Sequence, residues 1–451
     1  MNSATRSWLS FAIGAALFVL LPQLFVGSAT HARVITIAGI CLVLWITEIV
    51  PPFVPTLLLW TSVPLFLAPI DPRFTLPKVL SWAADPVMAL FFGGFALGVA
   101  ADRSGLGMSL TRLALNRSTN SYGKFLFLVM LITAFLSMWI SNIAAAALVF
   151  ASMRPILDRC EKDDLLRRIL LIGVALGADF GGIATPIGTG PNAIAIASIS
   201  QTQPVSFLRW MVFAFPLMIG MLVASFLFLS RRTHRAEGVW KGTANLISDD
   251  KTTRDEAFPL KTFFVVFIGT AVLWLTEPIH KVPAAVIALG SAGILFLSRI
   301  LSRKDLLRID WSTLLLIAGG ITLGRLLEQS GLVSSLTSDI PFAELHPTIS
   351  LFLLCVTAAT LSALMSNTAT VVLLIPLATA FMPSPSTAIL VAISASFGVP
   401  LLISTPPNAM AFGHGGVKFG DLFWPGIVLM LGGCVLIALT GRQVLNFAGI
   451  P

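Results

Sequence analysis

Two short stretches of this chain occur twice. SNIA at residues 141–144 and TGPN at 189–192 return as SNTA at 366–369 and TPPN at 405–408. Further landmarks pair in the same order, and the paired positions lie between 216 and 229 residues apart. Each copy sits in a long apolar run, where Ser, Asn, Gly and Pro are poor choices for a lipid-facing helix interior. The second half of the chain is therefore a diverged copy of the first.

The composition indicates a lipid environment. Of the 451 residues 56% are hydrophobic and only 11% are charged, whereas a soluble domain carries about 25% charged residues. Apolar stretches approaching the roughly 20 residues needed to span a bilayer predict an all-α polytopic membrane protein with about 11 transmembrane helices. The predicted spans are residues 8–27, 33–50, 52–70, 86–101, 168–199, 211–229, 261–278, 282–300, 311–327, 387–412 and 422–445.

Two other apolar stretches, 124–157 and 348–382, are too long for one crossing and carry Ser-Asn in the middle. We interpret them as re-entrant helical hairpins. The Pro-Asn motifs interrupt the spans at 168–199 and 387–412, which predicts helices broken at the membrane midplane. Paired segments interrupted in this way typify the binding site of a secondary transporter.

The net charge of +8 does not indicate nucleic-acid binding, because Lys and Arg gather in alternate loops. A cytoplasmic N-terminus puts most of the 29 basic residues inside, opens the first hairpin to the cytoplasm and the second to the exterior, and leaves the C-terminus outside. The repeats are then inverted. The predicted organisation is an N-terminal helix in 1–30, repeat 1 in 31–229, a cytoplasmic connector in 230–260 and repeat 2 in 261–451. A signal peptide at 6–29 is disfavoured, because its apolar run is long for one.

The motifs have a chemistry of their own. An anion in the membrane needs compensation for lost hydration, yet no Lys or Arg lies at either hairpin tip or Pro-Asn break. The remaining source is the positive end of broken helices, where free N–H groups and the helix dipole meet the ligand. Ser-Asn before an Ala-rich run and Thr before Pro are N-cap signals. Unwound backbone also exposes carbonyl oxygens to Na⁺.

The paired Ser-Asn hairpins, the paired Pro-Asn breaks, the Thr-Glu pairs and the Gly-Gly runs at 93–98 and 319–324 resemble the divalent anion/sodium symporter family. The resemblance covers nearly the whole chain from Thr47 onward. It implies sodium-coupled import of di- and tricarboxylates or sulfate, with some members exchanging anions. It also implies a homodimer, an elevator-like motion and a location in a bacterial inner (plasma) membrane.

The resemblance also implies site residues. One Na⁺ would be bound by Ser137, Ser141, Asn142 and Gly188, and a second by Ser362, Met365, Asn367 and Ser404. The small anion would lie against Asn142, Ile143, Thr189, Asn367, Thr368, Thr405 and Pro406. Ile143 departs from the family, because the first motif usually has Thr there. The change removes a hydroxyl from one side of the anion site and favours a smaller or less symmetric anion.

Asp179 is the second departure. It lies about eleven residues, roughly 16 Å, into a crossing helix, where an ionisable residue is a functional candidate. It is a possible coupling residue for a proton or cation, or a carboxyl that is only hydrogen-bonded to its neighbours. Proton coupling and obligate anion exchange therefore remain open beside sodium symport. Glu48 and Glu277 each end an apolar run beside Pro and are interpreted as interfacial or structural.

Other classes of protein fit less well. An intramembrane enzyme would need a nucleophile, base or metal set, but the apolar segments have no HExxH, GxSxG or facing pair of Asp. A channel normally repeats around a pore and not as an inverted pair. Four scattered cysteines without CxxC spacing argue against a metal or disulfide role.

Overall fold

The chain is described by a computed structural model. It covers residues 28–450 except 48, 119–120, 159, 162–163, 201–202, 232–258, 333–334 and 336–345. Within these residues the regular structure consists of twenty α-helices and two short 3₁₀ segments, without a strand. The predicted all-α class is confirmed. The first predicted span, 8–27, and most of the connector lie outside the described residues.

Repeat 1 contains a helix for each predicted span and two short helices that were not predicted. Its helices are α1 (Ala29–Thr47), α2 (Val54–Leu67), α3 (Leu76–Ala83), α4 (Pro86–Arg103), α5 (Leu106–Arg117), α6 (Tyr122–Ser137), α7 (Asn142–Leu157), α8 (Leu165–Gly181), α9 (Gly190–Ile199) and α10 (Phe207–Ser230). The 3₁₀ segments are Pro72–Phe74 and Gly182–Ala184.

The described helices of repeat 2 include a matching hairpin and a matching interrupted segment. Its helices are α11 (Leu260–Leu275), α12 (Glu277–His280), α13 (Ala284–Leu297), α14 (Arg303–Leu306), α15 (Trp311–Gln329), α16 (Pro347–Leu364), α17 (Asn367–Phe381), α18 (Pro385–Ala395), α19 (Pro406–Gly413) and α20 (Phe419–Phe447).

Five described helices, α1, α4, α10, α16 and α20, are long and apolar enough to cross a membrane, and eight shorter ones are apolar. The two hairpins are the pairs α6–α7 and α16–α17. Both α6 and α7 have 16 residues, about 24 Å by helical rise, which is shorter than a hydrocarbon core of about 30 Å. Re-entry and the total of 11 spans stay predictions, because helix bounds define length and not membrane depth.

Glycines bring the helices of each repeat close together. A Cβ at Gly181 would overlap the backbone of Ala134 on α6, and one at Gly398 would come 2.7 Å from Ala359 O on α16. Close backbone approach of this kind is how membrane helices pack without a hydrophobic driving force. Residues 169–188 and 386–400 are buried without exception, so the two interrupted segments lie at the centre of the molecule.

The carboxylate of Glu277 has a structural contact. It accepts hydrogen bonds from Phe207 N at 2.9 Å and Ala284 N at 3.3 Å, the first backbone groups of α10 and α13. An acidic group at a helix N-terminus satisfies unpaired N–H groups and complements the helix dipole. Its repeat partner, Glu48, lies outside the described residues.

Candidate functional site

Each hairpin tip holds a Ser-Asn pair in the same arrangement. In the first, Ser137 Oγ lies 2.8 Å from Asn142 Oδ1 and 2.6 Å from Ala178 O. In the second, Ser362 Oγ donates to Asn367 Oδ1 at 2.6 Å.

The residue before each asparagine is the N-cap of the helix that follows. Ser141 accepts from Ala144 N at 3.3 Å and Ser366 from Ala369 N at 3.5 Å. The sequence thus produces two matching turns that aim the N-termini of α7 and α17 at the centre of the molecule.

The asparagines of the two Pro-Asn motifs stabilise the breaks. Asn192 Nδ2 donates to Gly182 O at 3.0 Å and to Thr185 O at 2.8 Å. Asn408 Nδ2 donates to Val399 O at 3.1 Å and lies 3.2 Å from Ser404 Oγ. Sequence reasoning missed this function. Each amide satisfies carbonyls that the interrupted helix leaves without partners.

Close contacts join three of the motifs to one another and the fourth to α8. A Cβ at Gly182 in the first break would overlap Asn142 Oδ1 at the first tip. A Cβ at Gly190, where α9 begins, would come 2.6 Å from Thr368 Oγ1 at the second tip. Thr405 Oγ1 in the second break donates to Asp179 Oδ2 on α8 at 2.9 Å. Residues far apart in sequence therefore meet in one place.

The other predicted site residues have distinct surroundings. Gly188 and Met365 are buried, and Thr189 is a half-buried N-cap whose side chain makes no capping hydrogen bond. Ser404 Oγ donates to Leu401 O at 2.7 Å within its own break. Ile143 is 45% exposed at the start of α7, and Pro406 is exposed as the first residue of α19.

The electrostatics of the site come from backbone. No Lys, Arg or His occurs in 138–145, 182–192, 365–371 or 396–408. Four helices, α7, α9, α17 and α19, begin at these motifs. Each N-terminus carries about half a positive charge and unpaired N–H groups. A site formed by helix N-termini without a cationic side chain suits a small anion.

The fold and this site define a helical membrane transporter, and the comparisons with known proteins agree. The model of the citrate transporter family (CitMHS) matches residues 42–389 and 346–449. A Haemophilus influenzae protein described as an uncharacterized transporter is 30% identical over 94% of this chain and 94% of its own length. The sodium-dependent dicarboxylate transporter SdcS of Staphylococcus saprophyticus is 25% identical over 95% and 89%.

A solved structure has a similar fold. The crystal structure of the YdaH transporter of Alcanivorax borkumensis superimposes with a TM-score of 0.61 at 14% sequence identity, covering 89% of this chain and 100% of that one. The chain belongs to the citrate transporter family, and it is a transporter and not an enzyme.

Proposed function

We propose that this protein is a secondary active transporter that imports small di- or tricarboxylates together with Na⁺. The similarity to known transporters supports the substrate class: the family is that of a citrate transporter, and SdcS is a sodium-dependent dicarboxylate transporter. The observation that carries the proposal is that four helices begin at segments that pack together and contain no cationic side chain.

The anion would lie between the two hairpin tips and the two breaks. Asn142, Asn367 and Thr368 offer side-chain donors there, and Thr189, Thr405 and Pro406 line the breaks. An Asn amide can give its oxygen to a cation and its N–H groups to a carboxylate. The serine beside each asparagine lies on the Oδ1 side, which leaves Nδ2 as the group to face the anion.

Oxygen atoms at the first tip support one Na⁺ site. A Cβ at Gly182 would come within 3.0 Å of both Asn142 Oδ1 and Gly188 O. Ser137 Oγ lies 2.8 Å from Asn142 Oδ1. With Ser141 these are the four proposed ligand residues. The matching pair Ser362–Asn367 supports a second site, completed by backbone oxygens of Met365 and Ser404. Cations of this hard type prefer several oxygen ligands.

Packing between the repeats supports an elevator-like motion. Helices α8 and α19 pack together, as do α9 and α18, and these contacts join both half-sites into one unit. We propose that this unit, α6–α9 with α16–α19, moves against the remaining helices. By the resemblance to the symporter family, we further propose a homodimer in a bacterial inner membrane.

Uptake by reconstituted vesicles tests the function. Labelled succinate, citrate and sulfate are offered under an inward Na⁺ gradient, with pH and internal anion varied separately. Na⁺-dependent uptake of succinate or citrate into empty vesicles supports the proposal. Uptake that requires internal anion identifies an exchanger, and dependence on a pH gradient alone identifies proton coupling.

Variants at the tips connect uptake to the site. Asn142→Ala and Asn367→Ala should each abolish uptake without loss of folded protein. Asn116→Ala, at an exposed asparagine near the end of α5, is the matched control and should transport normally. Wild-type uptake by either tip variant would contradict the site assignment.

A further inference from the structure

The carboxyl group of Asp179 is buried deep in the protein with one of its oxygens unpaired. Asp179 is only 2% exposed, and it lies two residues before the end of α8. Its Oδ2 accepts from Thr405 Oγ1 at 2.9 Å. Its Oδ1 is buried and has no hydrogen-bond partner in the described part of the chain. A buried carboxylate with a single neutral donor is poorly compensated.

The hydroxyl group of Thr405 has only one hydrogen atom to give. Thr405 is the N-cap of α19, so its Oγ1 accepts from Asn408 N at 3.3 Å. With Asp179 ionised, the single hydroxyl hydrogen is directed at the carboxylate. Thr405 then has no hydrogen to donate to an anion at the start of α19.

Protonation of Asp179 reverses this hydrogen bond. A protonated carboxyl is itself an O–H donor and can donate to Thr405 Oγ1 across the same 2.9 Å. The hydroxyl hydrogen of Thr405 is then free to turn to the anion. A hydrogen bond to the charged anion is worth roughly ten- to a hundredfold in affinity.

We propose that Asp179 is the proton-binding residue of this transporter, and that its proton turns the Thr405 hydroxyl from Asp179 to the anion, so that the proton and the anion bind cooperatively. The proposal rests on the proposed anion site and adds a proton to its cargo. It makes Asp179 a positioning residue, which acts on the anion through Thr405. Cooperative binding of this kind is reciprocal: the anion favours the proton as the proton favours the anion.

No described charge is placed to neutralise Asp179 in another way. The helices that pack against α8 are α6, α7, α10 and α19. The titratable or charged groups at their ends and on α8 are Tyr122, Lys124, Arg154, Asp158, Asp164, Arg167, Arg168, Arg209, Arg231 and His414. Arg167 and Arg168 precede Asp179 by eleven or twelve residues, roughly 17 Å along the helix. Their guanidinium groups bind Leu157 O, His414 O and Asp421.

A proton fits Oδ1 and Oδ2 better than a metal ion does. Hard cations need several oxygen ligands, whereas Oδ1 has no polar partner and Oδ2 has one. The described residues also contain no group of three or more His, Cys, Asp or Glu that would hold a metal. A proton needs only one lone pair.

Proton uptake by the purified full-length protein tests the proposal directly. Succinate is added at saturating Na⁺ in weak buffer, and the pH change is recorded with a dye. The measurement is repeated from pH 6 to 9, and where Asp179 is ionised in the unloaded protein the wild type should take up about one proton for each succinate bound, by linkage. Asp179→Asn should bind succinate without taking up a proton. Any pH change recorded with this variant comes from protons carried by succinate itself and is subtracted from the wild-type signal. Succinate binding by the wild type without proton uptake at any pH from 6 to 9 would overturn the proposal.

The pH dependence of transport is the second readout. Above the titration of Asp179, the wild-type KM for succinate should rise about tenfold per pH unit. Asp179→Asn should have a KM that changes less than about twofold from pH 6 to 9, because its amide donates to Thr405 Oγ1 at every pH. The control Asp158→Asn, at an exposed carboxylate after α7, should keep the wild-type profile. A wild-type profile in Asp179→Asn would refute the mechanism.

Variants at Thr405 keep the proposal testable if Asp179→Asn does not fold. Thr405→Ser retains the hydroxyl and should retain both the proton uptake and the pH profile. Thr405→Val lacks the hydroxyl and should bind succinate weakly with a flat profile. Equal pH profiles for the two variants would overturn the proposal. Failure of the proposed function has a different signature, which is the absence of succinate binding in the wild type itself.

Discussion

Ser137 Oγ lies 2.8 Å from Asn142 Oδ1 across the first hairpin tip, and this contact fixes which end of the amide faces the serine. Ser137 is fully buried, so the contact is also desolvated. The oxygen end of Asn142 then belongs to the proposed Na⁺ site and the N–H end to the anion. One side chain thereby connects cation binding to anion binding.

Removal of this serine hydroxyl should weaken Na⁺ binding selectively. In Ser137→Ala the half-saturating Na⁺ concentration should rise at least about tenfold, because one oxygen ligand and the orientation of Asn142 are lost. Sodium titration of succinate uptake measures it. Ser298→Ala, at an exposed serine after α13, should leave the titration unchanged. An unaltered Na⁺ dependence in Ser137→Ala would exclude Ser137 as a ligand.

Gly182→Ala should abolish transport, because the added methyl group would occupy the position of Asn142 Oδ1. The expected loss of uptake is more than about tenfold, which corresponds to at least 1.4 kcal/mol. Gly220→Ala on α10 is the matched control, since a Cβ there meets nothing within 4 Å. Near-normal uptake by Gly182→Ala would mean that the first tip does not need its present geometry.

Ile143→Thr should improve binding of a symmetric dicarboxylate. The new hydroxyl restores a donor at a 45% exposed position beside Asn142, worth about 1.5–3 kcal/mol toward a charged ligand, or roughly ten- to a hundredfold in affinity. Competition by succinate against uptake of the native substrate, at fixed Na⁺, measures the change. An identical inhibition profile would indicate that position 143 does not face the anion.

Cysteine labelling tests the inverted topology. A cysteine at Ser121, before α6, should react from the cytoplasmic side, and one at Ser384, after α17, from the outside. The native Cys160 is partly exposed, so Cys160→Ser is the appropriate background. Labelling of both positions from the same face would contradict inverted repeats.

The protein should be sensitive to acid at the contact between α4 and α14. Burial alone would raise the pKa of Asp305, but hydrogen bonds from Ser302 and the charges of Arg103 and Arg308 outweigh burial and lower its pKa below 3.8. The folded form therefore gains stability from this carboxylate above its unfolded pKa and loses it as the pH falls through the lower folded value. Thermal unfolding should show a lower Tm for Asp305→Asn at pH 6 and a smaller decrease between pH 5 and 3. Parallel curves for the two proteins would contradict this.

The helix bounds were largely predictable because Pro, Gly, Ser and Asn interrupt apolar runs at the places where helices end. Helix α17 begins at Asn367 and α19 at Pro406, as their N-cap signals predict. The short helix α3 and the helix α5 were missed. Leu106–Arg117 mixes polar and apolar residues, so hydropathy does not distinguish it from a loop.

The site was predictable only in part. The motifs indicated which residues gather, but the hydrogen bond between Asp179 and Thr405 spans 226 residues, and no local pattern predicts such a contact. The depth of Asp179 in an apolar helix was the one available signal. The amides of Asn192 and Asn408 bind carbonyls of the breaks themselves, which becomes visible only once the backbone path is known.

Those two amides have a consequence for the empty carrier. Asn192 and Asn408 bind backbone carbonyls of the breaks with their own side chains. The two breaks should therefore keep their shape when no anion is bound. In the proposed elevator cycle the unloaded protein then loses no conformational entropy in reordering its site before it returns. The free-energy cost of the empty return is electrostatic instead, because the four helix N-termini then have no anion to complement their dipoles. In the proposed cycle anion exchange needs no empty return, so exchange should exceed net uptake in rate by a factor that depends on how well water and Na⁺ screen those helix dipoles.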